Sequence, residues 1–358
     1  MTRFLTITPR DPLVARDGRP FGEGQGRRMR STGWLTPSVA AGSFRTAYAK
    51  ACGKGDFKPE TQEALLGIPF AGVFPMAEGE LLLPAPFDCV WREREPLPAL
   101  PQGMGEGGCD LPDGHLPVML PEGEFKPEAG PAFWPSSQYA AWLVGGTVDP
   151  AHRLMAKAAE ADLRDHVRID AETGTAKDGH LFTTAGIAAG SLPRFLGGGR
   201  IETTLSARVR ELPWGESLEM WHPLGGERRL VHWRMHADGA AWQCPPRVKE
   251  ALGDTERIRL TFASPAIFEE GWRPPREIHG VELTLVGACI PRWRAVSGWS
   301  YKEQGPKAIR RVVPAGGTYF FKAEKGAGAR LAEKWLEPVG EEGSDGFGLA
   351  LWGTWEEG

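Results

Sequence analysis

The residues able to do chemistry in this chain are scattered histidines and clusters of arginine with glycine. His232 and His236 are four apart, which on a helix would suit a metal. Val231, Trp233 and Met235, however, alternate with His232, Arg234 and His236, and that pattern predicts a strand with one polar face. A metal-free ribonuclease needs only a His, and a Tyr or Lys, near a 2′-hydroxyl, so His115, His222, His232, His236 and His279 are available in principle. A structural role is the commoner fate of scattered histidines. Gly103-x-Gly105-x-x-Gly108 matches a dinucleotide fingerprint but has no strand before it and no helix after it, and Gly53-Lys54 lacks the spacing of a phosphate-binding loop. No HExxH, paired DxD or GxSxG occurs.

Three basic segments carry more weight. Arg16, Arg19, Arg27, Arg28 and Arg30 surround Phe21 and four glycines, giving guanidinium forks and backbone N–H groups for phosphates and an aromatic face for a base. In LGGERR, residues 224–229, Gly225 and Gly226 permit close backbone approach to a phosphate while Arg228 and Arg229 supply charge. Between 298 and 321, Lys302, Lys307, Arg310 and Arg311 accompany Trp299 and Tyr301. On spacing, loops made soluble by arginine explain the first two equally well. Three such segments together favour RNA.

The whole chain has 358 residues, 41% hydrophobic and 25% charged, a soluble globular composition long enough for two domains. No apolar run approaches the roughly 20 residues of a membrane span, and no signal peptide is evident, so a cytoplasmic location is expected. The five cysteines show no CxxC spacing, so neither a disulfide framework nor a zinc knuckle is expected. The absence of Asn beside 31 Pro fits a heat-adapted source. The net charge of -4 hides segregation: +6 over 1–50, -9 over 51–140, -2 over 141–190, +5 over 191–312 and -4 over 313–358. A subunit that holds RNA would turn its two basic blocks toward the phosphates.

Positioning these residues requires the following elements. Residues 3–8 alternate as a first strand, with Leu5 and Ile7 on one face. Thr36-Pro37 opens a helix carrying Ala40, Phe44, Ala47, Tyr48 and Ala51, with Arg45 off the stripe. Residues 72–88 read as two short strands around a Glu-Gly turn, completing a ferredoxin-like β-α-β-β beginning. Residues 94–135, with nine Pro and seven Gly, read as a long surface insertion. Helices are expected from Ser136 and over Ala151–Leu163, then a projecting hairpin with strands at His166–Asp170 and His180–Thr184. Strands follow at Arg257–Ala263, Val281–Ile290, Thr318–Lys322 and Phe347–Trp355, with a helix at Ala329–Leu336. The class is α+β, divided as 1–200 and 201–358, each half ferredoxin-like (RRM-like) with glycine-rich loops.

The chain resembles subunit 3 of the Cmr complex, the type III-B CRISPR effector of the RAMP superfamily. The likeness rests on DPLVARDGRPFG, TPSVAAGSFRTAY, HVRID…TGTAKDGHLF, LGGERR, SGWS…GPKAIRRVVPAGGTYFF and GFGLALWGTW, in family order over nearly the full chain. The resemblance implies two ferredoxin-like domains, no catalysis, no cofactor, and a place at the crRNA 5′ handle beside the large polymerase-like subunit and the first backbone subunit. It maps RNA-binding roles onto Arg16, Asp17, Gly18, Arg19 and Phe21, onto Arg45, onto Gly225 to Arg229, and onto Lys307. The alternative is a RAMP-type, metal-independent endoribonuclease that processes crRNA precursors through a His acid or base.

Overall fold

The computed structural model describes residues 1–16, 27–29, 31–103, 110–112, 114–120, 123–300 and 305–357, with the backbone alone at Arg27, Arg28 and Trp299. Strands dominate and helices are few, in a mixed α and β chain. Among the described residues no helix is long and apolar enough to cross a membrane.

The first of two main sheets has seven strands, in the spatial order Glu219–Pro223, Leu230–His236, Thr2–Pro9, Thr204–Arg210, Phe70–Ala77, Glu80–Pro84, Phe133–Pro135. Thr2–Pro9 runs antiparallel to both neighbours, with Leu5 opposite Ala207 and Met235 and Ile7 opposite Leu205 and Trp233. Period-2 alternation puts Leu5 and Ile7 on one face, and both are fully buried there. The first helix, Pro37–Ala51, starts at the Thr36-Pro37 step because proline lacks an N–H that the first turn would leave unpaired. Phe44 and Tyr48, one turn apart, lie against the Leu5 and Ile7 face, the Phe44 ring 5.8 Å from Phe70 and 6.1 Å from Trp233. The opposite face, through Ala71, Phe74, Leu81 and Leu83, packs on the second half of the chain.

The second sheet is antiparallel throughout, in the order Thr284–Cys289, Thr318–Lys322, Arg257–Phe262, Ala350–Thr354. Arg257–Phe262 alternates as expected, yet its polar side is not solvated: Arg259 and Thr261 are 2% and 0% exposed. Arg259 donates to the Trp142 carbonyl at 2.9 Å and lies 3.4 Å from the Asp88 carboxylate, which accepts the Trp142 indole N–H at 3.0 Å. Burial pushes the Asp88 carboxyl up, and Arg259 opposes it.

The three strands between 204 and 236 belong to the first sheet, and the chain changes sheet between His236 and Arg257, because Thr2–Pro9 finds its partners on both sides in this later segment. Two expectations are corrected. Segment 94–135 is in part built in: Phe133–Pro135 is an edge strand, and Leu100, Leu116 and Val118 pack on Val286, Phe320 and Trp355. Ala151–Leu163 is no helix. Leu154, Met155 and Ala156 are buried in non-helical chain, Ala156 bridging Phe133 and Arg194, and Ala161–Ile169 is a strand, so pairing overrides local propensity. Cys52, Cys89, Cys244 and Cys289 are free thiols.

Candidate nucleic-acid interface

The chain leaving the first strand is stitched to three other segments before the arginine-rich loop begins. Leu13 and Ile187 exchange backbone hydrogen bonds of 2.9 and 2.6 Å, and the Gly226 N–H donates to the Val14 carbonyl at 2.7 Å. The Ala15 carbonyl accepts the Thr32 N–H at 2.7 Å and the Ser31 hydroxyl at 2.9 Å. Arg16 bridges Ser31, so the loop departs and returns at one neck. Arg27 and Arg28 then pair with Phe182 and Thr183 of a hairpin formed by Ala161–Ile169 and Ala176–Ile187. The neck of the arginine loop, the LGGERR turn and the hairpin therefore share one edge of the molecule. Arg16 is exposed there. Asp17, Gly18, Arg19, Phe21 and Arg30 lie outside the described residues.

The LGGERR turn is closed by the Leu224 N–H donating to the Arg229 carbonyl at 2.9 Å. Gly225 has φ +81°, and a Cβ there would sit 2.4 Å from the Val14 carbonyl oxygen. That glycine accommodates the close approach of the Val14 backbone. Gly226 packs on the same residue, its Cβ position 3.1 Å from Val14 Cγ1. Arg228 is exposed, whereas Arg229 is half-buried and donates to Glu227 at 3.1 Å. Asp162 of the hairpin is held below the usual carboxylate range mainly by the 2.6 Å hydrogen bond from Arg164, with a smaller contribution from Arg229. Of the two LGGERR arginines, Arg228 is the one without an acidic partner among the described residues.

The hairpin projects as expected, though its strands are longer than the sequence signals. One face carries Leu163, Val167 and Leu181, all more than 40% exposed, and the other stacks His166 on Phe182 at 5.1 Å. His166 Nε2 lies 2.9 Å from the Thr184 hydroxyl.

A second group of the expected residues gathers around Asp345. Arg45, expected at RNA, turns inward: it is 6% exposed and donates to Asp345 at 2.5 Å and to the carbonyls of Ile68 and Ser344 at 2.9 and 3.1 Å. Its place beside the Phe44 stripe presses it on the 343–345 turn, where a buried guanidinium needs an acid and carbonyls around it. Lys307 lies 3.7 Å from the same Asp345. Arg310 is taken up by Glu341 and, at 3.5 Å, by Glu342. Arg311 is exposed, its guanidinium 4.6 Å from the centre of the Trp293 ring.

The first helix touches both groups. Its Ser43 hydroxyl accepts the Gly225 N–H at 3.4 Å, and its Ser38 hydroxyl lies 4.0 Å from the Cβ position of Gly298, whose carbonyl accepts the Lys307 N–H at 2.8 Å. The sequence does not mark Asp345, Glu341 and Glu342 as partners, although the -4 balance of residues 313–358 places acids in that stretch. Trp293 escapes the same reading, yet an aromatic between Arg292 and Arg294 is the composition that marks the other segments. His232 and His236 lie on a strand, as expected, and among the described residues no group of three or more His, Cys, Asp or Glu could hold a metal.

No curated protein matches the sequence. Among solved structures, a chain of the Type III-B Cmr-beta bound to cognate target RNA is 15% identical, with 89% of this chain and 86% of that chain covered and a TM-score of 0.49. A chain of the same assembly bound to cognate target RNA and AMPPnP is 14% identical, with 88% and 86% covered and a TM-score of 0.49. A chain of the Csm3-Csm4 subcomplex in the type III-A CRISPR-Cas interference complex is 9% identical, with 90% and 94% covered and a TM-score of 0.37. The family described as CRISPR-associated protein (Cas_Cmr3) matches residues 5–355, and with nearly the whole chain aligned to it, this protein belongs to that family.

Proposed function

We propose that the chain is a non-catalytic crRNA-binding subunit of a type III-B Cmr interference complex, holding the crRNA 5′ handle and docking the large polymerase-like subunit and the first backbone subunit. The observation that carries the reading is the shared edge at Val14, where the neck of the arginine loop meets the LGGERR turn and the hairpin. Arg16 and Arg228 are exposed there, and Arg19, Phe21, Arg27, Arg28 and Arg30 lie in sequence between Arg16 and Ser31, the two ends of the neck. Phosphates take guanidinium forks and an unpaired base takes an aromatic face. Two ferredoxin-like domains are part of the proposal: in the second sheet the first strand lies between the third and the fourth, with the second outside the third, and in the first sheet Thr2–Pro9 lies likewise between Thr204–Arg210 and Leu230–His236, with Phe70–Ala77 outside Thr204–Arg210, all in antiparallel pairing.

The test is binding of a handle-bearing RNA at a series of salt concentrations. Replacing Arg16, Arg19, Arg27 and Arg28 with Ala should weaken binding and reduce the salt slope by roughly 0.7 for each phosphate left without its guanidinium. An unchanged slope would sink the assignment of this edge. Incubation with repeat RNA separates the endoribonuclease alternative, since cleavage abolished by one His→Ala change would establish it.

A further inference from the structure

Residues Arg294–Val296 and Arg310–Val312 form a two-stranded antiparallel ribbon, with Ala295 opposite Arg311 and Arg294 opposite Val312. Its inner side is anchored: Val312 is 2% exposed and clusters with Ile267 and Phe347, and Val296 packs against them. Side chains alternate across a strand, so Trp293, Ala295, Ile309 and Arg311 fall on the outer side. Trp293 is 47% and Ile309 65% exposed, and the Arg311 guanidinium lies over the indole. Large aromatics are normally covered, and here the covering group is itself an exposed cation.

The described charges beside this indole in sequence have one sign. The described residues between 291 and 313 include Arg292, Arg294, Lys307, Arg310 and Arg311 and no carboxylate. The acids of the 341–345 stretch reach Arg310 and Lys307, while Arg292, Arg294 and Arg311 have no acidic partner among the described residues. An exposed indole with a guanidinium over it that has no acidic partner among the described residues suits a ligand that is both flat and polyanionic, and single-stranded RNA meets both demands.

We propose that Trp293 is a stacking platform for an unpaired RNA base, and that Arg311, on the same outer side of the ribbon, takes a flanking phosphate. The proposal rests on the reading of the chain as an RNA-binding subunit and adds an RNA contact on the second half of the chain. It is separate from the Val14 edge, and the first helix lies between the two.

The experiment measures binding of a handle-bearing single-stranded RNA to the full chain and to W293L, W293F and R311A, each first shown to keep the wild-type melting temperature. W293L should bind about 5- to 150-fold more weakly, the range expected for one base–aromatic stack, with its salt slope unchanged. W293F should recover most of the affinity, and R311A should lower the salt slope by about 0.7. Wild-type affinity in W293L overturns the platform while leaving the RNA-binding reading intact, whereas no RNA binding by the wild-type chain overturns both. If W293L binds RNA normally but loses a partner subunit in size-exclusion mixtures, the ribbon docks protein and the RNA platform is wrong.

Discussion

Arg208 and Arg259 are the buried arginines of the two sheets, and they differ in what stands behind them. In the first sheet, Arg208 donates to the Leu336 carbonyl at 2.7 Å and lies 3.2 Å from Glu337, which also holds Arg210 at 2.5 Å. Burial pulls the Arg208 guanidinium down to about 10, and its acidic partner has a second cation. In the second sheet, Arg259 faces an Asp88 that is fully buried and has no other cation among the described residues. Each sheet turns a cation away from solvent because a neighbouring layer covers its polar side. The first sheet does so with a shared acid at the boundary, the second with a single pair in the interior.

The sharpest test of that contrast is Arg259→Ala, which leaves the Asp88 carboxylate buried without a cation and should cost about 3–5 kcal/mol in urea unfolding. The pH dependence has a definite sign. A carboxyl whose folded value lies above the ordinary one contributes stability at low pH that is lost as pH rises, so R259A should lose more stability at pH 8 than at pH 5. A double change of Asp88 and Arg259 to Leu should recover much of the loss, because removing both charges removes the desolvation problem.

Arg208→Ala should be milder, about 1–3 kcal/mol, since Glu337 keeps Arg210 and the main loss is one satisfied buried carbonyl. Equal costs for R208A and R259A would show that the second cation is not what separates the sheets.

His222, at the edge of the first sheet, extends the comparison to a neutral buried group. Its Nε2 accepts from Lys50 at 3.3 Å while Nδ1 faces the Pro223 carbonyl at 3.1 Å, an arrangement that suits the neutral ring. Burial and then Lys50 hold it below its ordinary value, so its contribution is present above about pH 6.5 and lost as pH falls through the folded value. The melting temperature of H222Q should therefore fall less between pH 7 and pH 5 than that of the wild type. Arg310→Ala, which breaks pairs that are more than a third exposed, should change stability by about 0–1 kcal/mol.

The sequence is most legible where short-range pattern and long-range packing agree. The alternation around Leu5 and Ile7, the Thr36-Pro37 start and the run Thr318–Lys322 each announce their element without a distant partner. Ala151–Leu163 reads as a helix locally, and only Phe133 and Arg194 determine otherwise. The site divides in the same way. Glycine among arginines marks both loops at the Val14 edge, but the inward turn of Arg45 depends on Asp345, three hundred positions away, and nothing near residue 45 signals it. The conformational reason for a glycine at 225 is legible, whereas its neighbour is not, because the approach of Val14 is a tertiary event.

The pairing of Thr2–Pro9 has a consequence for how the chain is made. Both of its neighbours, Thr204–Arg210 and Leu230–His236, come late in the sequence, so the first strand has no partner while the intervening two hundred or so residues are being synthesised. At roughly 5–20 residues per second that wait lasts on the order of 10–40 s, with the Leu5 and Ile7 edge unpaired. Such pairings have high contact order and close slowly. The nascent amino-terminal strand is thus a segment that a ribosome-associated chaperone would have reason to shield.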